Sequence, residues 1–215
     1  MRSRSWSDRL LSAADNALRT LASALPTGSG RPSPAADLPE QPPLSDRERD
    51  LSVALMRVNH AGEVAAQALY QGQAMAAGAD HRLESLLQSA AREEADHLRW
   101  CEERLQSLGG HTSILNPLWY AGAFGLGFVA GRLGGPVSLG FLSETERQVE
   151  AHLEGHLSRL PASDLASRAV VGQMIRDEAD HGQTARSHGG RPLPMPVRQA
   201  MHFSGRVMTT AAHYL

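Results

Sequence analysis

The chain has 215 residues, enough for one substantial domain. Its 41% hydrophobic and 5% aromatic composition is too poor in rings for a strand-rich sandwich but suits a helical core of alanine and leucine. A net charge of −2 gives no field for nucleic acid, and all 21 basic residues are arginine, which excludes a Schiff-base lysine and a phosphate-loop lysine. The single Cys101 excludes an internal disulfide and a thiolate zinc knuckle, and fits a reducing compartment.

At the N-terminus, Trp6, Leu10, Leu11, Ala14, Leu18 and Leu21 recur at helical spacing with arginines on other faces. Residues 1–25 therefore read as an amphipathic extension, either disordered or loosely docked, or lying on a membrane surface. Its Arg/Ser content is that of a mitochondrial transit peptide, although Asp8 and Asp15 count against one, and no apolar run near Met1 points to secretion. Six of the twelve prolines fall between Pro26 and Pro43, alongside Gly28, Ser29, Gly30 and Ser33, so residues 26–44 read as a linker that cannot hold a helix.

Beyond the linker the pattern is helical. Ser45 followed by Glu48 predicts a capping box and a helix from about Asp46 to Ala77, broken at Gly78. A second helix is expected from about Asp80 to Leu108, closed by Gly109 and Gly110. Pro136 suits the first turn of a third, running to about Leu160, and a fourth spans about Ser163 to His188. A last amphipathic stretch runs from Val197 to Tyr214. Between the second and third helices lies the most apolar segment, Pro117 to Leu142, diluted by seven glycines and carrying Arg132. Its charge-free part, between His111 and Arg132, sits at the lower edge of what crosses a bilayer, so an interfacial or shallowly inserted element is expected. No segment alternates as a strand would. The expected fold is all-α: a four-helix bundle over residues 45–215 with an extra apolar membrane-associating segment and a C-terminal amphipathic helix.

Two segments nearly repeat each other 84 residues apart: Arg92-Glu93-Glu94-Ala95-Asp96-His97 and Arg176-Asp177-Glu178-Ala179-Asp180-His181. Each contains Glu-x-x-His, which places a carboxylate and an imidazole on one face of a helical turn. Glu63 stands 31 residues before Glu94 and Glu146 stands 32 before Glu178, so each half reads as a helix with one glutamate followed by a helix with Glu-x-x-His. Solvated helix faces commonly carry such strings, but here Leu87, Ala90, Glu94, His97 and Cys101 form one apolar stripe. Val171, Met174, Glu178, His181 and Ala185 form another, and Glu146 lies inside a third with Leu139, Leu142, Val149 and Leu153. Small neighbours blur the face of Glu63. Carboxylates facing a core need cationic compensation. There is no lysine and the arginines are off these stripes, so two divalent cations would balance the four glutamates. Carboxylate oxygen with imidazole nitrogen suits iron or manganese, and this pattern is that of ferritin-like dinuclear bundles.

The chain resembles the demethoxyubiquinone hydroxylase family, the di-iron benzoquinol monooxygenases of ubiquinone biosynthesis. The resemblance rests on Arg57-Val58-Asn59-His60-Ala61-Gly62-Glu63-Val64, on Glu94-Ala95-Asp96-His97, on Asn116-Pro117-Leu118-Trp119 with the glycine-rich stretch, on Glu144-Thr145-Glu146 through His152, and on Arg176 to His181. It spans about Leu51 to the C-terminus and leaves the first 45 residues unexplained. It implies two irons per chain on Glu63, Glu94, His97, Glu146, Glu178 and His181, with Glu94 and Glu178 bridging and each histidine capping one ion. His152 matches a histidine beside the centre in the family, where its alternative is a half-exposed helix residue. Animal relatives tend to carry tyrosine just after it, where this chain has Leu153. The implied reaction is hydroxylation of a polyprenyl demethoxyubiquinol by dioxygen, with an external donor or the quinol supplying the other electrons. Such a substrate implies peripheral membrane association, with Trp119, Tyr120, Phe124 and Phe128 candidates either for an apolar mouth or for packing. A lipid-presenting accessory protein is a candidate partner. The arginine bias points to a GC-rich bacterium and the cytoplasmic face of its plasma membrane; a eukaryotic source would imply the mitochondrial inner membrane. Two other readings stand beside this one: a soluble iron-handling or peroxide-reducing bundle, and a structural metal bundle acting as an interaction module.

Overall fold

A computed structural model of the chain describes residues 6–22, 30–77 and 80–215. The break at Gly78 and the start of the proline-rich run lie outside them. The described residues form seven helices and no strand: α1 (Trp6–Leu21), α2 (Asp46–Ala76), α3 (His81–Ser107), α4 (Asn116–Arg132), α5 (Gly135–Arg159), α6 (Leu165–Ser187) and α7 (Met195–Tyr214).

Helix ends follow local chemistry. Ser45 and Glu48 form the expected reciprocal capping box at α2. Asp80 and Asp164 cap α3 and α6 by accepting from Leu83 N and Ser167 N at 3.0 and 2.9 Å. Gly109 ends α3 at φ 71°, a conformation costly for any residue with a Cβ, and Gly110 N then reaches back to Leu105 O at 2.8 Å.

Two apolar clusters fix the direction of each helix. One joins Leu55 and Met56 of α2, Trp100, Cys101 and Leu105 of α3, Leu153 of α5, and Val170, Val171 and Met174 of α6. The other joins Ala66 and Tyr70 of α2, Leu83, Leu87 and Ala90 of α3, Leu139 and Leu142 of α5, and Ala185 of α6. Along α2 and α6 the chain passes from the first cluster to the second, and along α3 and α5 it passes from the second to the first. In detail, α2 enters at the first cluster and α3 returns to it, whereas α5 leaves the second and α6 returns to it. Since α3 ends beside the first cluster and α5 begins beside the second, the chain has to travel the length of the bundle between them. Helix α4 makes that journey, so the apolar segment is the long crossover of a ferritin-like bundle.

Glycines let α4 lie directly on α2. A Cβ on Gly127 would sit 2.2 Å from the Leu69 carbonyl oxygen, and one on Gly72 would sit 2.3 Å from that of Phe124. The glycines that dilute the segment's hydropathy therefore include its contact points. The face of α4 away from α2 exposes Leu118, Leu126 and Val129, and no helix among the described residues is long and apolar enough to cross a membrane. Tyr120 is a packing residue: it is buried against Val64, Ala68 and Leu98, with its ring 6.2 Å from Phe124 and its hydroxyl donating to Gln71. Trp119 packs on Val58, Ala61 and Ala212.

Helix α1 docks through Ala17, against the Val64 and Tyr120 cluster, and through buried Thr20, whose Oγ1 accepts from Gln71 Nε2 at 3.2 Å. Leu10, Leu11 and Leu18 remain exposed. Residues 30–44 contain no helix, yet they are fastened to the bundle. Ala35 and Leu44 pack on the first cluster, and Gln41 Oε1 accepts from Leu165 N at 3.2 Å.

Candidate metal centre

On all four bundle helices the Glu and His residues lie between the two apolar clusters. Glu63 follows Leu55 and Met56 and precedes Ala66. Glu94 and His97 fall between Ala90 and Trp100, Glu146 between Leu142 and Leu153, and Glu178 with His181 between Met174 and Ala185. The apolar clusters thus close the centre at both ends. The six side chains are buried, Glu94 and His97 completely and His181 at 9% exposure. Glu63, whose face the sequence leaves blurred, is as enclosed as the rest at 2%.

The six divide into two groups that each bring four ligand atoms within 4.8 Å of one another: Glu63, Glu94, His97 and Glu178, and Glu94, Glu146, Glu178 and His181. Glu94 and Glu178 belong to both. His97 Nδ1 lies 3.0 Å from Glu94 Oε2, 3.4 Å from Glu178 Oε1 and 3.7 Å from Glu63 Oε2. His181 Nδ1 lies 3.0 Å from Glu94 Oε1 and 3.7 Å from Glu178 Oε2. Despite this crowding, Glu63 Oε2, Glu178 Oε2 and His181 Nδ1 are buried with no hydrogen bond of acceptable geometry. Orphaned polar atoms are costly in a core, and three aimed into one space fit a cation there. A donor set of four carboxylates and two imidazoles, without thiolate, suits iron or manganese.

The far nitrogens of the two rings are held in exchange. His97 Nε2 donates to Asp177 Oδ2 at 2.8 Å, and His181 Nε2 donates to Glu93 Oε2 at 3.1 Å. In each repeat, the acid preceding the Glu-x-x-His glutamate therefore orients the histidine of the other repeat. Because a carboxylate accepts, Nε2 carries the proton and Nδ1 faces the cluster, as a metal ligand requires.

Burial, then the Glu94 charge, pushes the Glu63 carboxyl well above its ordinary range. Burial, then Glu178 and Glu94, does the same to Glu146. Burial opposes charge on the imidazoles, but Glu94, Asp177, Glu178 and Glu63 outweigh it at His97 and push that ring well above its ordinary range. The His181 ring is raised likewise, with Glu178, Glu93 and Glu94 overcoming burial. Four enclosed carboxylates disfavour one another's charge, which a cation among them would offset.

Three features escape sequence reasoning. Tyr70, seven residues after Glu63 and so on the same face of α2, donates its hydroxyl to Glu146 Oε1 and lies 3.5 Å from Glu94 Oε1. That spacing was the signal available for it. The exchanged partners Glu93 and Asp177 lie within the repeat, but which histidine each holds depends on how the helices cross. Arg31, placed in the linker by composition, reaches Asp177 with no sequence signal at all. His152 is not among the converging residues: it is half-buried, its ring centroid is 4.0 Å from that of His156, and its Nε2 is buried without a hydrogen bond.

An antiparallel four-helix bundle with one long crossover, closing on a buried cluster of four glutamates and two histidines, is a ferritin-like fold with a candidate metal centre. Over residues 50–212 the sequence matches the family described as ubiquinone biosynthesis protein COQ7, and the chain belongs to that family. It is 55% identical to the 3-demethoxyubiquinol 3-hydroxylase of Azoarcus sp. (strain BH72), covering 96% of this chain and 98% of that protein. It is 57% identical to the protein of the same name from Nitrosomonas europaea, with 97% and 98% covered, and 57% identical to that of Variovorax paradoxus, with 96% and 97% covered.

Proposed function

We propose that this chain is a monooxygenase of ubiquinone biosynthesis that hydroxylates the ring of a demethoxyubiquinol, using dioxygen at a di-iron centre. The observation that carries the reading is the pair of buried four-residue groups sharing Glu94 and Glu178, in a chain so similar to proteins named 3-demethoxyubiquinol 3-hydroxylase. Glu94 and Glu178, common to both groups, would be shared between two ions. Glu63 and His97 would complete one position, and Glu146 and His181 the other. When bound, the irons supply the electrons and the open positions that dioxygen reduction needs.

The chain's own residues supply geometry and dryness. Asp177 and Glu93 fix the two imidazoles with Nδ1 inward. The apolar clusters above and below exclude water from the centre. The Tyr70 hydroxyl, beside Glu146 and Glu94, holds one proton within reach of the carboxylates. Exposed apolar side chains on α1, α4 and α7, among them Leu11, Leu126, Val129 and Phe203, support peripheral attachment to the membrane that holds the lipid quinol, which in a bacterium is the plasma membrane. An external electron donor and a lipid-presenting accessory protein complete this reading.

The deciding experiment is anaerobic loading of the metal-free chain with ferrous iron, followed by exposure to labelled dioxygen with demethoxyubiquinol in detergent. Mass spectrometry is expected to find one labelled oxygen atom in the quinol ring. An unchanged quinol mass with iron bound would reject the reaction. Incorporation with manganese but not iron would reject the metal.

A further inference from the structure

Arg31 lies ahead of the family-matching residues 50–212, in a segment that composition marks as a linker. Its backbone carbonyl nevertheless accepts from Arg99 Nη2 at 2.5 Å and from Trp100 Nε1 at 3.4 Å, both on α3. Its guanidinium sits 5.0 Å above the Trp100 ring, which favours a planar cation there. From that position Nη2 pairs with Asp177 Oδ2 of α6 at 2.9 Å and lies 3.5 Å from His97 Nε2, while Nε is 3.6 Å from Asp96 Oδ2. The same Asp177 oxygen accepts from His97 Nε2, and the other accepts from Gln173 Nε2 at 2.8 Å. One carboxylate is thus shared between an imidazole of the centre and a guanidinium from outside the bundle.

The counterpart in the other repeat lacks this device. Glu93 holds His181 in the same way, but its side chain is 39% exposed and the Arg31 charge reaches it only through space, with no ion pair between them among the described residues. The bundle's repeat would make the two metal positions alike. The Tyr70 hydroxyl on Glu146 distinguishes them on one side, and Arg31 does so on the other, at the acid that orients His97.

We infer that Arg31 is a positioning residue for the metal centre, which through Asp177 locks the His97 ring and sets the His97 position apart from the His181 position. Two effects follow from the contacts. A carboxylate on the far nitrogen raises the donor strength of a ligating imidazole, and a guanidinium sharing that carboxylate draws part of its charge away. The fork of the guanidinium, pinned by Trp100 and by its own backbone, also removes freedom from Asp177 and hence from the ring. Of the two the positional effect dominates, so an ion beside His97 would be held by a more rigidly placed histidine than an ion beside His181. The strap from residue 31 to residue 44 is the part of the chain that confers this asymmetry.

This inference rests on the dinuclear reading above, and the test separates the two. Full-length wild type, Arg31→Met and Arg31→Lys are loaded anaerobically with ferrous iron enriched in the Mössbauer isotope, and iron release to a chelator is followed in time. Wild type is expected to hold two ions in two spectroscopically distinct environments that leave in two phases. In Arg31→Met, one environment should shift and one phase should accelerate about 10-fold, the other staying as in wild type. Arg31→Lys, which restores the charge but not the fork, should fall between them. Two ions released from Arg31→Met at wild-type rates would overturn the role of Arg31 alone. So would equal acceleration of both phases together with a lowered unfolding temperature of the metal-free variant, which would mark a merely structural contact. Uptake of fewer than two ions by wild type would overturn the dinuclear centre and this role with it.

Discussion

Glu178 and His97 occupy different places in the cluster, and their removal should be distinguishable. Glu178 faces both four-residue groups, whereas His97 faces only one. Glu178→Ala is expected to abolish binding of both ions, and His97→Ala to weaken one by more than about 100-fold, beyond the loss typical of disturbing a ligand's partner. Metal analysis after gel filtration checks this, and two tightly held ions in either variant would remove that residue from the set. Five of the six residues were legible in the sequence because a helix writes its inward face at a period of three to four, and Glu63, whose face is blurred, was legible only from its matching offset in the repeat. Arg31 was not legible, since it belongs to no period. Its partners are 65 and more residues away in sequence and meet it only because α3 and α6 bring Trp100, Asp96 and Asp177 to one surface.

At the level of elements, the four bundle helices were readable to within about two residues from caps, glycines and prolines. The pairing of α4 with α2 was not. Hydropathy registers how apolar a segment is, not which of its glycines another backbone will occupy. The contact itself makes a sharp prediction. In Gly127→Ala the new methyl would meet the Leu69 carbonyl at 2.2 Å, so α4 must lift from α2, and a loss of about 1–3 kcal/mol is expected. Gly122→Ala, on the same helix with open space around it, should instead stabilise by about 0.5–1 kcal/mol. Urea unfolding of the two variants measures both. Equal effects would mean that helix propensity, not close packing, governs this segment.

For the whole molecule, acid should act through two enclosed histidines near the first apolar cluster. Burial pushes the His60 imidazole down to about 4, and burial with the neighbouring His152 pushes His156 down to about 3. His156 is 4% exposed, and its Nδ1 donates to Asn59 Oδ1 at 2.7 Å. Unfolded, each would take a proton near pH 6.5. The unfolded chain therefore gains protons first as pH falls, so this stability is fully present above pH 6.5 and declines on the way to the folded values. Metal-free wild type should lose about 2 kcal/mol more than His156→Gln between pH 7.5 and pH 5. Parallel urea midpoints for the two proteins across that range would refute the assignment. A different consequence follows from the exchanged partners, Asp177 for His97 and Glu93 for His181. Neither half of the chain owns a finished coordination sphere, since each lends the other the acid that aims its imidazole. Cut between α4 and α5, the fragments should each be poor chelators, and competence should return only when the two are mixed and fold around one another.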